Sequence, residues 1–280
     1  MSQTSRRHQQ RVGWLRWGVA GLALLLLLVL LAVRLTEGPG FLFLRQDHTW
    51  QTMQARGSWR VGMDPSFPPF EFLDEQGNPT GFDVDLARHL AQGWGLRLEI
   101  AAMGYDSLLD AVKAGQVDAA ISAIPYDPRM TQDFAFSEPY FEAGVRLVVR
   151  QGSPIQAVAD LAGRRVAVEW GSLGDMVGRH LQREDIAMEL VPYATPQEAV
   201  DALVNDITID ALLIDNVTLR EAQGQGAPIV AVGPALESNP YVIVLPLPAS
   251  QLQEKVAQAL QAMATDGTLA ELEARWFGAP

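Results

Sequence analysis

Residues 60–72 read Arg60-Val61-Gly62-Met63-Asp64-Pro65-Ser66-Phe67-Pro68-Pro69-Phe70-Glu71-Phe72. Val61 to Met63 has the character of a short apolar strand, and Asp64-Pro65 breaks it. Pro68 and Pro69 remove backbone donors and fix φ, so the spacing predicts a stiff loop rather than further strand or helix. Such a loop lies at the carboxyl end of a strand, where open α/β sheets bind ligands. It would present one carboxylate, Asp64, beside the rings of Phe67, Phe70 and Phe72. That combination suits a cationic or zwitterionic ligand through ion pairing and cation–π attraction. The alternative is a proline-rich turn whose Phe rings are plain core and whose Asp caps a loop.

The chain has 280 residues, room for one or two domains with a sizeable core. It contains no cysteine, so disulfides, thiol nucleophiles and lipidated Cys are excluded. Its four histidines, His8, His48, His89 and His180, are scattered without metal-ligand spacing, and no metal or cofactor is expected. The net charge of −12 is unevenly spread: residues 1–34 hold five Arg and no acid, which leaves 16 basic against 33 acidic residues beyond. An acidic body argues against nucleic acid as a partner, because phosphate binding needs clustered Lys and Arg.

Trp17 to Val33 is uncharged and Leu-rich. As a helix this run spans about 25 Å, close to the lower limit for crossing a bilayer. Arg6, Arg7, Arg11 and Arg16 precede it, which places the amino terminus in the cytoplasm and the remainder outside. Residues 1–34 are therefore expected to be a cytoplasmic stub and single-pass membrane anchor, with a cleavable signal peptide as the alternative. Residues 35–57 read as a juxtamembrane connector, broken at Gly38-Pro39-Gly40.

Beyond it the chain echoes itself. Ser107 to Ser122 and Glu198 to Asp215 each pair an amphipathic helix with a short apolar strand entered through an Asp-Ala step, Asp118-Ala119 or Asp210-Ala211. Val61 to Asp64 is matched by Val166 to Glu169, and a helical pattern follows each. Strand and helix thus alternate twice, which predicts two α/β lobes with parallel sheets. Asp64 and Ser122 would line one wall of the cleft between them, and Glu169, Ser172 and Asp215 the other. Glu169-Trp170 follows a strand, so Trp170 either lines the cleft or packs as an ordinary half-wet ring.

In order, the segments Val61 to Phe72, Gly81-Phe-Asp-Val-Asp-Leu-Ala87, Val117-Asp-Ala-Ala-Ile-Ser122, Asp133-Phe-Ala-Phe-Ser-Glu-Pro-Tyr140, Leu161-Ala-Gly-Arg-Arg-Val-Ala-Val168, Asp266-Gly-Thr-Leu269 and Trp276-Phe-Gly278 resemble the extracytoplasmic solute-binding proteins, family 3, of polar amino-acid ABC transporters. The resemblance spans about residues 58–278. It implies a type II periplasmic-binding-protein fold, with lobe 1 at 58–141 plus 243–280 and lobe 2 at 142–242. Crossings are implied near Tyr140 to Gly144 and Asn239 to Ile243. By the same resemblance Asp64 and Asp215 hold a ligand ammonium group, Phe67 and Tyr105 form aromatic walls, and Gly171-Ser172-Leu173 opens a helix in lobe 2. A helix start also suits a carboxylate on general grounds.

The stretch Ala123 to Met130 departs from the family pattern. Met130 stands where an arginine usually grips the ligand carboxylate, Arg129 lies one position early, and Pro125 lacks an N–H. Arg129 reaches the ligand only if this loop rearranges. The expected function is capture of a small polar solute, amino-acid-like or cationic, for delivery to ABC permease subunits. A ligand sensor for a membrane partner is the alternative, and a dehydratase-like enzyme on the same fold a weaker one. No nucleophile–base pair stands at convincing spacing, so no catalytic residue is assigned.

Overall fold

The computed structural model describes residues 48–278. The expected anchor or signal peptide, and the connector through residue 47, lie outside them; among the described residues no helix is long and apolar enough to cross a membrane. Residues assigned to the end of the connector instead fold. Thr49–Arg56 is helix α1, and it buries Trp50 and Met53 against the domain. The Trp50 ring meets Trp94 edge-on at 5.5 Å, a contact that apolar spacing alone does not announce.

The next segment gives β1, Ser58–Met63, and then a small hairpin rather than an unpaired loop. Strands β2 (Ser66–Phe67) and β3 (Glu71–Leu73) pair antiparallel, with Phe67 opposite Glu71, and β4 (Pro79–Thr80) joins β3. Pro68 and Pro69 occupy the turn, where no ladder donor is needed. Helix α2, Phe82–Gly93, follows Gly81, and β5, Arg97–Ala102, pairs in parallel with β1. Helix α3, Leu108–Lys113, leads into β6, Ala119–Ala120, on the other side of β1. After β7, Phe134–Phe136, the chain leaves this sheet through β8, Phe141–Glu142.

The second half repeats the plan: β9 (Val145–Arg150), β10 (Arg165–Glu169), α4 (Leu173–Arg183), β11 (Glu189–Tyr193), α5 (Pro196–Asn205), β12 (Ala211–Asp215), α6 (Asn216–Gly224) and β13 (Ile229–Glu237). The chain returns through β14, Pro240–Tyr241, to β15, Val244–Pro246, and closes with α7 (Ser250–Asp266) and α8 (Thr268–Phe277). The strand orders are β5-β1-β6-β15-β7 and β11-β10-β12-β9-β13. Neither sheet is wholly parallel, as the alternation predicted. β15 runs antiparallel to both its neighbours, and β9 does the same in the other sheet. Each is the strand by which the chain enters from the opposite half, so its direction is set by the crossing and not by a βαβ unit.

The two crossings β8 and β14 pair with each other, Phe141 opposite Tyr241 and Glu142 opposite Pro240. Glu142 fastens them. Its Oε1 accepts the N–H groups of Gly144 and Asn239 at 2.8 and 2.7 Å, and its Oε2 accepts the Ser238 hydroxyl. Burial raises the Glu142 pKa, but these donors outweigh it and the carboxyl is held below its usual range. Below the crossings the first core packs Phe70 edge-on against Phe82, Phe141 and Tyr241 and tilted against Phe277, with centroids 5.1–5.8 Å apart. Phe70 is thus core and Phe72 packs on Trp276; of the three expected cleft rings only Phe67 remains.

Gly81 shows how closely this side is built. It has φ +133°, and a Cβ there would collide with the backbone carbonyl of Phe70. Gly81→Ala is expected to destabilise the protein by about 2–4 kcal/mol, the range for steric strain at a special backbone position. Urea unfolding of the full-length chain measures it, and a loss below about 0.5 kcal/mol would show that the hairpin yields.

Candidate functional site

At the carboxyl ends of β1 and β6 the backbone turns are tied together by side chains. The Asp64 N–H donates to Ser122 Oγ at 3.0 Å, the Ser122 hydroxyl donates to Glu71 Oε1 at 2.6 Å, and the Tyr105 N–H donates to Asp64 Oδ2 at 2.8 Å. Directly behind, Asp83 Oδ2 accepts the Ala123 N–H at 2.7 Å and the Tyr140 hydroxyl at 3.0 Å. Glu71 and Asp83 are 1% and 0% exposed. Ala123 holds φ +44°, a left-handed conformation that Asp83 fixes through that N–H.

Two ionised carboxylates cannot share such a site. Burial, and then Asp83, push Glu71 up to about 10, so it is a neutral acid near pH 7. Glu71 Oε2 and Asp83 Oδ1 find no partner among ordinary donors. The proton that Glu71 retains supplies the missing link, since the two side chains are hydrogen-bonded to each other. Burial likewise lifts Asp83, to about 6, against the donors that hold it down.

In front of this pair lies a cavity of about 330 Å³, lined by Asp64, Phe67, Glu71, Tyr105, Ser122 and Tyr241 among others. A second, of about 430 Å³, is lined from the other half by Glu169, Ser172, Asp215, Thr218 and Glu221. Phe67 and Tyr241 border both. Asp215 and Ser172 sit there for a local reason: each caps a helix. Asp215 Oδ1 accepts the Thr218 N–H at 2.9 Å at the start of α6, and Ser172 Oγ accepts the Asp175 N–H at 3.2 Å at the start of α4.

Of the residues singled out in the sequence, Asp64, Phe67, Tyr105 and Ser122 meet at the first cavity, and Glu169, Ser172 and Asp215 at the second. Trp170 lines neither; it stands on the rim, 72% exposed. Arg129 is not brought to the cleft. It is 87% exposed and turned back on Asp127, which accepts from its backbone N–H, Nε and Nη2 at 2.7–3.1 Å. The carboxylate site expected at the start of α4 is partly filled by the chain itself: Asp175 takes the Gly171 N–H and an ion pair from Arg179.

Glu71, Asp83, Tyr241 and Glu221 were not read as cleft residues from the sequence. Glu71 lies inside the opening stretch, but its burial depends on a proton shared with a residue twelve positions on. Tyr241 falls within the crossing that the sequence implies, but nothing local marks its ring as a wall.

The shared proton has consequences for stability. The Glu71 pKa is raised on folding from 4.5 to about 10. Its contribution is therefore complete below about pH 4.5 and is lost as pH rises toward 10. Thermal melts of the full-length chain are expected to show stability falling between pH 5 and 9. Glu71→Gln, which keeps an acceptor for Ser122 and a donor for Asp83, should flatten that slope and cost no more than about 1 kcal/mol at neutral pH. A steeper slope in the variant, or a loss above 3 kcal/mol, would show that Glu71 is ionised.

Comparison with known proteins identifies the family. Residues 59–279 match the model of the bacterial extracellular solute-binding proteins, family 3. The chain is 32% identical over 231 residues to the histidine-binding periplasmic protein of Salmonella typhimurium, covering 78% of this chain and 86% of that one. It is 27% identical over 257 residues to the L-cystine-binding protein TcyJ of Escherichia coli, covering 90% and 95%. Among solved structures it resembles a polar amino acid ABC uptake transporter substrate binding protein from Streptococcus thermophilus, with a TM-score of 0.74, 25% identity and coverage of 84% and 91%. The chain belongs to the bacterial extracellular solute-binding proteins, family 3.

Proposed function

We propose that the cleft captures a small polar solute, amino-acid-like or cationic, and delivers it to ABC permease subunits outside the cytoplasm. One observation carries the reading: carboxylates from both halves line two adjoining cavities that share the rings of Phe67 and Tyr241. Lobe 1 comprises residues 58–141 plus 243–280 on this reading, and lobe 2 residues 142–242. Asp64, Phe67, Tyr105 and Ser122 contact the solute from lobe 1, and Glu169, Ser172 and Asp215 from lobe 2. Trp170 and Arg129 are left outside the contact set. The run from Trp17 to Val33 tethers the protein to the membrane, with residues 1–16 on the cytoplasmic side.

Capture by two lobes needs a ligand that favours the closed arrangement over the open one. The exposed rings of Phe67, Tyr105 and Trp170 on the facing rims supply apolar surface that closure would bury, and pairing the ligand's charge makes its burial tolerable. The related proteins, a histidine-binding and a cystine-binding protein, support solutes of this size and polarity.

Titration calorimetry of the full-length chain against a panel of amino acids and organic cations tests the reading, with Trp170 fluorescence reporting closure. Asp215→Asn keeps a good helix cap and is expected to weaken binding of the ligand so identified by about 1.5–3 kcal/mol, the range for a lost charge-assisted hydrogen bond. Unchanged affinity would remove Asp215 from the site, and a panel with no binder would overturn the proposed capture.

A further inference from the structure

The charge around the cleft is one-sided. Asp64 lines the first cavity beside the neutral acid Glu71, Glu169, Asp215 and Glu221 line the second, and no Lys, Arg or His lines either. Among the described residues the side chains of Glu169 and Glu221 have neither a hydrogen bond nor an ion pair, and Glu221 is lifted by burial and then by Asp215. These groups lack a positive partner.

Among the described residues the N–H groups of Leu173 and Gly174 at the start of α4 have no acceptor, but the other backbone donors that a ligand carboxylate would need are engaged or missing. The Ala123 N–H is held by Asp83, the Tyr105 N–H by Asp64 and the Gly171 N–H by Asp175, while Pro125 has none. The cation next in sequence, Arg129, is bound to Asp127 and points into solvent. A carboxylate buried here would lose its hydration without gaining a cation, beside groups of its own sign.

Resting on the reading of this cleft as the solute site, we propose that its preferred ligand is an organic dication without a carboxylate, an α,ω-diamine or a guanidinoalkylamine, that reaches from Asp64 to the Asp215–Glu221 side. Phe67 and Tyr241 border both cavities, so the ligand's alkyl chain lies along their rings while each end meets a carboxylate. The ends differ in what they ask for. Asp64 already accepts the Tyr105 N–H and offers a single carboxylate, which suits a primary ammonium. The other end offers three acids close together, which suits either an ammonium or a guanidinium fork.

Matched pairs that differ only by the α-carboxylate decide this: ornithine against putrescine, lysine against cadaverine and arginine against agmatine, each titrated calorimetrically into the full-length chain. The decarboxylated member is expected to bind at least tenfold tighter in at least one pair and never more weakly than its amino acid. Arg129→Ala should leave that affinity within twofold, and Asp215→Asn should lower it at least tenfold. The proposal is overturned if an amino acid binds as tightly as its decarboxylated partner, or if Arg129→Ala weakens binding, which would mean that the guanidinium swings in to hold a carboxylate. Silence from all six compounds also overturns it. In that case binding of a neutral or acidic amino acid in the wider panel would leave capture by the cleft intact, so the two failures are distinguishable.

Discussion

One proton shared by Glu71 and Asp83 determines how the floor of the cleft is built. Two carboxyl groups with essentially no exposure are tolerable only if one is neutral and the other is saturated with donors. Asp83 gathers the Ala123 N–H, the Tyr140 hydroxyl and the Glu71 acid, while Glu71 receives the Ser122 hydroxyl. Through these bonds the hairpin after β1, the start of α2, the turn after β6 and the chain just before β8 are fastened at a single point. Ser122 then holds the Asp64 backbone. The position of the first cleft carboxylate follows from a buried acid pair that need not itself touch solvent.

The second half of the cleft is built by a different device. There the cavity-lining Ser172 and Asp215 are helix caps on α4 and α6, placed where a strand ends and a helix begins. A capping Asp has its orientation fixed by the N–H groups it accepts, so it can face a ligand without losing order when none is bound. The crossings between the halves are fixed in turn by Glu142, whose three donors come from both connecting segments. Rigid floor, capped wall and tied crossings leave the separation of the two halves as the freedom through which a ligand can act.

How far this was legible in the sequence depends on the reach of each interaction. Helix α2 starts directly after Gly81, as the helical pattern there predicts, because its apolar stripe and the glycine before it are local signals. The duplicated order of strands and helices is likewise local, repeated twice. The hairpin is hidden in the sequence because Pro68 and Pro69 read as a break, whereas pairing uses the residues on either side of them. Phe70 and Phe67 could not be told apart as core and cleft, since that depends on which ring meets Phe141 and Tyr241, more than seventy positions away. Glu71 carries no burial signal of its own in the sequence, because its burial requires a partner acid. Arg129 left two placements open, and a side-chain cap two residues upstream, Asp127, draws it outward.

The same one-sided charge that marks the cleft bears on its motion. The residues beyond position 34 carry 33 acids against 16 bases, and several of the acids line the two facing walls. Bringing Asp64 toward Glu169, Asp215 and Glu221 without a cation between them raises their mutual repulsion, more so as water leaves and the effective dielectric falls. A cation placed between the walls reverses the sign of every one of those terms. Relief of that repulsion would supply differential affinity of the kind a ligand needs in order to shift an equilibrium toward closure. An uncharged solute of the same shape would bury the same apolar surface and leave that repulsion standing, so on this account charge, rather than fit alone, selects what the two halves close upon.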